Sequence, residues 1–179
     1  ACTVKPLLTR LMVQSSFEAQ VEFAPSKRPF LVSRAGWAGM QRFVQTWSGD
    51  NYCSWKTLKF NLKMGQGLAL SGVSNTSHDV GGFAGKCNPS EELFVRWCEC
   101  LLLLPRFSIH SWHDDGSVNE PWMFPESTHL IRSMLQFRHA LVPYLSDLLY
   151  RSHTLLEPVF RPCFYDFGDT DERTFGECD

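Results

Sequence analysis

Neither sign of charge accumulates anywhere in this chain of 179 residues: 17 Lys and Arg stand against 19 Asp and Glu, and the two are mixed throughout. The basic stripe that tracks phosphates is therefore missing, and neither nucleic acid nor an anionic membrane surface is expected as a partner. Long apolar runs are missing as well. The longest, LLLLP from Leu101 to Pro105, falls far short of the ~20 residues that span a bilayer. The first residues show neither the apolar stretch nor the cleavage site of a secretion signal, so no export is expected.

Also absent are a Gly-rich phosphate loop, a nucleophilic Ser or Cys elbow and a metal-binding spacing, so no cofactor and no metal are expected. The seven cysteines are an odd number. Cys98 and Cys100 are one residue apart rather than the two or more of zinc knuckles, which argues against both a disulfide framework and a zinc site. Reduced, mostly buried thiols are expected, and they lean the compartment toward the cytoplasm. There is no internal repeat and no low-complexity tract. What is present is globular composition, 44% hydrophobic and 20% charged, enough for one core.

The apolar pattern alternates between helical and strand-like periods. Leu7, Leu8, Leu11, Met12, Phe17 and Val21 recur at helical spacing between Pro6 and Phe23, and APSKRP then breaks the pattern. Three short runs read as strands: PFLVSR, LALSGVS after Gly67, and RFSIHS after Pro105. Helices are expected over Ser54 to Met64, over the run from Ser90, which Ser90 caps with Glu91 and Glu92 in the first turn, and over Ser127 to His153, kinked near Pro143. Strand, loop and helix repeated three times predict an α/β fold of parallel units, its strands paired in sequence order with helices on one face.

In such units polar groups gather in the loops at the carboxyl ends of the strands. That rule selects Arg34, Trp47 and Asp50 after the first run, His78, Asp79 and Phe83 after the second, and His110, Trp112, His113, Asp114 and Asp115 after the third. Carboxylates, imidazoles, an Arg and aromatic faces together suit a sugar, whose hydroxyls need hydrogen bonds and whose C–H faces need flat apolar surfaces. Asp166, Asp169 and Asp171 read as surface turns. Asp50 is the odd member, a single carboxylate among glycines, aromatics and neutral polar residues with no acidic neighbour.

The segments RPFLVSRAGWAGMQRFVQTWSGDN, SHDVGGF, IHSWHDDGSVNEPW and LVPYLSDLLYRSH followed by RPCFYDF resemble glycoside hydrolase family 31, the α-glucosidase and α-xylosidase family, in the same order and at compatible spacing. The resemblance covers nearly the whole chain, and its most specific element is the W-x-G-D ending at Asp50. It implies part of a (β/α)8 TIM barrel, about its last three β/α units, and a retaining mechanism. On that resemblance Asp50 matches the general acid/base, Arg34 and Trp47 match residues shaping the sugar subsite, Asp79 and His110 match binders of sugar hydroxyls, and Phe83 matches an aromatic of the subsite wall.

A retaining glycosidase needs a second carboxyl about 5–5.5 Å away to attack the anomeric carbon. The family's nucleophile motif, W-x-D-M-N-E-like and on an earlier barrel strand, is not found in these residues. The resemblance thus implies a fragment: residues 1–155 as the C-terminal portion of the catalytic barrel, and residues 156–179 as the truncated start of a C-terminal β-domain. Such a piece is expected to need the remainder of the barrel, or another chain, over its open sheet edges. The expected ligand is an α-linked carbohydrate, with glucose, xylose, sulfoquinovose and galactose all open. Two function classes follow: an α-glycosidase, or the part of one that carries the acid/base and subsite, and a non-catalytic remnant or sugar-binding half-barrel.

Overall fold

The computed structural model of the chain describes residues 4–175, which divide into two units at the Ser48–Gly49 junction. The first unit opens with helix α1 (Val4–Phe23). Its chain then returns through a loop in which the Gln20 side chain accepts from the Phe30 backbone N–H at 2.9 Å. The expected first strand shrinks to one parallel bridge, Val32 with Gln45, flanked by Ser33 N–H to Gln45 O and Gln45 N–H to Leu31 O, both 3.0 Å. Strand β1 (Thr46–Trp47) follows. Phe17 of α1 meets Phe43 edge-on at 5.6 Å, an aromatic contact inside this unit.

The second unit is built around helix α3 (Glu91–Leu101). Ser90 caps it by accepting from the Leu93 N–H at 3.4 Å, and Glu91 and Glu92 lie in the first turn, where the helix dipole favours negative charge. Leu93, Phe94, Trp97, Cys98 and Leu101 form its buried stripe, joined by Leu58, Val80, Leu104 and Ile131 in one core. The strands β2 (Thr76–Ser77), β3 (Asp79–Val80) and β4 (Ser108–Ile109) are short. β3 and β4 pair in parallel, Asp79 opposite Ser108 and Val80 opposite Ile109, with α3 as the crossover between them; β4 falls in the third predicted run, whereas β3 lies outside all three.

Two expectations are corrected. The second run, LALSGVS, is not a strand: helix α2 (Trp55–Leu70) continues through Leu68–Leu70, turns at Gly72, and the strands begin only at Thr76. The expected helix stops at Met64, short of Gly65 and Gly67. In the fold Gly65 is an approach point, since a Cβ there would stand 3.1 Å from His78 Nε2 and 3.3 Å from the Phe160 ring. The long C-terminal helix is two helices, α4 (Thr128–Ala140) and α5 (Val142–Leu155), because Pro143 fits the first turn of a new helix better than the interior of an old one. Past α5, Leu156 takes a left-handed φ of 61°, and residues up to 175 carry helix α6 (Cys163–Phe167) and a 3-10 turn, Glu172–Phe175.

The thiols are also less buried than expected. Among the described cysteines only Cys98 is buried, Cys53 is half-buried, and Cys87, Cys100 and Cys163 are exposed. Cys2 and Cys178 lie outside the described residues.

Candidate active site

Three loops of the second unit are laced together just beyond the strands. The backbone N–H groups of Phe83 and Ala84 both donate to Asn51 O, at 2.9 and 3.0 Å, and Cys53 N–H donates to Ala84 O at 2.8 Å. On the other side Trp112 N–H donates to Phe83 O at 2.9 Å and Asp114 N–H to Gly85 O at 2.8 Å. The glycine pair in HDVGGF makes this lacing possible. Gly81 and Gly82 have φ of +89° and +82°, and a Cβ on Gly82 would stand 2.7 Å from the Cys53 Cα. An L side chain would meet both strain and collision there.

The loops bring together four of the residues singled out by the sequence. Asp50 is exposed on the first, Phe83 is half-buried on the second, and His110 is exposed immediately after β4. The Phe83 and His110 rings lie 5.2 Å apart at 51°. Asp79 lies within β3 rather than in the loop after it, with a buried side chain. Arg106 Nη1 donates to its Oδ1 at 2.9 Å, the two side chains being 16% and 1% exposed. Burial holds the Asp79 carboxyl above the usual carboxylate range, Arg106 and then His110 pull it back, and the charge of Asp50 pushes it further up.

Arg34 and Trp47 belong to the first unit, Arg34 exposed and Trp47 half-buried. Of the remaining candidates, His78 is fully buried, and burial, with Arg106 adding to it, pushes its imidazole down to about 4. Asp115 is a turn residue: its Oδ1 accepts from Ser117 Oγ at 2.6 Å and from Ser117 N–H at 2.9 Å, and these bonds hold its carboxyl below the usual range. Trp112 and Asp114 are exposed, and His113 is buried 3.1 Å from Asn119 Oδ1. Asp166 pairs with Arg161 and Asp171 with Arg173, as surface aspartates do.

Sequence reasoning missed Arg106 and Asn119. The only signal for Arg106 was a charge at the mouth of an apolar strand. Asn119, inside HDDGSVNEPW, looked like one more loop residue.

Parallel strands joined through a helix, with polar and aromatic side chains gathered on the loops beyond them, are the arrangement of a β/α unit. The chain belongs to glycosyl hydrolases family 31, whose TIM-barrel domain model matches residues 3–148. It is 41% identical over 150 residues to neutral alpha-glucosidase C of Mus musculus, an alignment covering 83% of this chain and 16% of that protein. To alpha-glucosidase 2 of Bacillus thermoamyloliquefaciens it is 36% identical over 166 residues, 92% of this chain and 21% of that protein. Among solved structures it superimposes on Tris-bound glucosidase II alpha subunit with a TM-score of 0.83 at 28% identity, covering 91% of this chain and 18% of that one. A GH31 alpha-xylosidase from a soil metagenome complexed with xylose gives the same TM-score, 0.83, at 27% identity, covering 91% of this chain and 27% of that one. The fold is therefore part of a TIM barrel, and the chain spans about a fifth of the length of the relatives it matches.

Proposed function

We propose that this chain supplies the acid/base and one wall of the sugar subsite of a retaining α-glycosidase of the α-glucosidase type. The observation that carries this is the lacing through Asn51, which ties the loop of an exposed carboxylate, Asp50, to the loop of Phe83, itself tied to the loop of His110. Asp50 protonates the leaving oxygen and then takes a proton from the attacking water. Phe83 offers an apolar face to the pyranose and His110 a hydrogen-bonding ring, while Asp79 contributes through Oδ2, the oxygen that Arg106 does not hold. Arg34 and Trp47, in the first unit, are read as sugar-subsite residues on the strength of the family motif alone.

The nucleophile is assigned to a part of the barrel outside this chain. The two carboxylates that could stand in for it are already engaged, Asp79 with Arg106 and Asp115 with Ser117. Residues 1–155 are accordingly read as barrel, and residues 156–179 as the lead-in to a following β-domain. The partners are the rest of the barrel and an α-linked glucoside or related sugar, with no nucleic acid and no membrane. No helix among the described residues is long and apolar enough to cross one.

The second reading, a sugar-binding half-barrel without turnover, is favoured by that same commitment of Asp79 and Asp115. Asp50→Asn in the complete protein separates the two. Activity should fall by about 10²–10⁴-fold on poor leaving groups, far less on activated aryl α-glucosides, and azide should restore turnover of the latter. Equal losses on both substrate types, with no azide rescue, would remove Asp50 from the acid/base role.

A further inference from the structure

Asn119 is buried and makes four polar contacts, two to the segment before Phe83 and two to the segment after His110. Its Nδ2 donates to Gly82 O at 2.9 Å and to Val80 O at 3.3 Å, both on the segment that links Asp79 to Phe83. Its backbone N–H donates to Ser111 Oγ at 2.6 Å, one residue past His110. Its Oδ1 lies 3.1 Å from His113 Nε2. Two backbone carbonyls can only accept, so the amide orientation is fixed, with nitrogen toward the carbonyls and oxygen toward the imidazole. The oxygen in turn can only accept, so His113 must carry its proton on Nε2. Gly81 is shaped to the same residue, since a Cβ there would stand 2.7 Å from Asn119 Nδ2.

We propose that Asn119 is a positioning residue of the sugar site: it fixes the Phe83 loop against the His110 loop, and so sets the gap between the two rings that form the subsite wall. This rests on the reading of Phe83 and His110 as that wall. Without the amide, Val80 O and Gly82 O lose this donor, and the segment that carries Phe83 keeps the Trp112 N–H and Asp114 N–H bonds, the β3–β4 pairing and the ring contact as its ties to the His110 loop. Asn119 touches no reacting atom in this scheme, so its removal acts on sugar binding more than on bond breaking.

The test uses the complete enzyme that carries this segment, assayed on an aryl α-glucoside. Asn119→Asp keeps the shape and turns the donor into an acceptor facing two carbonyls, and Asn119→Ser removes the fork but leaves room for water. Both should raise KM about ten-fold, the scale of one or two buried groups left without a partner, and change kcat by no more than about three-fold. Cys98→Ala, a cavity in the α3 core, is the control for general softening and should leave KM unchanged. In the wild-type enzyme with nitrogen-15-labelled histidine, His113 should show the Nε2–H tautomer, and this measurement needs no folded variant.

If Cys98→Ala raises KM as much as the Asn119 variants do, the effect is softening and the inference falls. It falls equally if His113 carries its proton on Nδ1, or if Phe83→Ala and His110→Ala raise KM while both Asn119 variants keep the wild-type value. If Phe83→Ala and His110→Ala themselves leave KM unchanged, it is the wall reading that fails, and the role assigned to Asn119 goes with it.

Discussion

Helices α1 and α3 are both written in apolar residues at helical spacing, and they meet opposite fates. Phe94, Trp97, Cys98 and Leu101 of α3 are fully buried, whereas Leu11 and Met12 of α1 are 52% and 61% exposed, with Leu7 and Leu8 beside them. Periodicity marks a face as suited to burial, but a neighbour must supply the other half of the contact. α3 has one on each side, packing against β3, α2 and α4. For α1, only Val13 is buried along its 20 residues. The contrast shows where stability resides in this chain, and it can be broken by substitution.

The largest effect should come from α3. Trp97→Ala removes a fully buried indole from the centre of the core and should cost about 3–5 kcal/mol of unfolding free energy, read from urea denaturation. Leu11→Ala, an apolar truncation on the exposed face of α1, should stay within about 0.5 kcal/mol. Comparable costs at the two positions would erase the contrast.

Much of this was legible in the sequence. The cap at Ser90, the acidic first turn and the stripe behind it specified α3, and the W-x-G-D ending pointed to Asp50. The residues that organise the site were not legible, because their role lies in contacts between distant parts of the chain. Arg106 reaches Asp79 across 27 positions and Asn119 reaches Gly82 across 37, and neither pairing has a local signature. The misplaced second strand has a similar cause. The expected helix stops at Met64, before Gly65, and the approach of His78 and Phe160 that shows why a helix carries a glycine there is again a contact between distant parts of the chain.

Acid offers a second, smaller way to separate the two units. The first has no histidine, while the second buries His78, whose imidazole falls from an ordinary 6.5 to about 4. A group held neutral in the fold and free to take a proton when unfolded gives stability that is present above pH 6.5 and is lost as the pH falls toward 4. The full loss is about 3 kcal/mol. Urea midpoints of the second unit's unfolding should therefore drop across that window, and His78→Gln should flatten the drop. A wild-type profile that is already flat would mean that His78 takes up its proton without cost in the fold.

The smallest expected change in stability lies on α1, where it comes with a change in association. Leu8 and Leu11 are one helical turn apart on a face that is more than half exposed, and Leu7 and Met12 extend it into a contiguous apolar surface. Such a surface gains less from the intramolecular fold than a buried one and favours contact between molecules. The double substitution Leu8→Gln/Leu11→Gln replaces good helix formers with another good helix former, so helix propensity barely changes. Unfolding free energy should move by less than about 0.5 kcal/mol, while sedimentation velocity should show less self-association than in the wild-type chain at the same concentration. A loss of more than about 2 kcal/mol, the scale of a buried leucine, would show that this face is packed in solution and that the contrast with α3 is smaller than the exposures indicate.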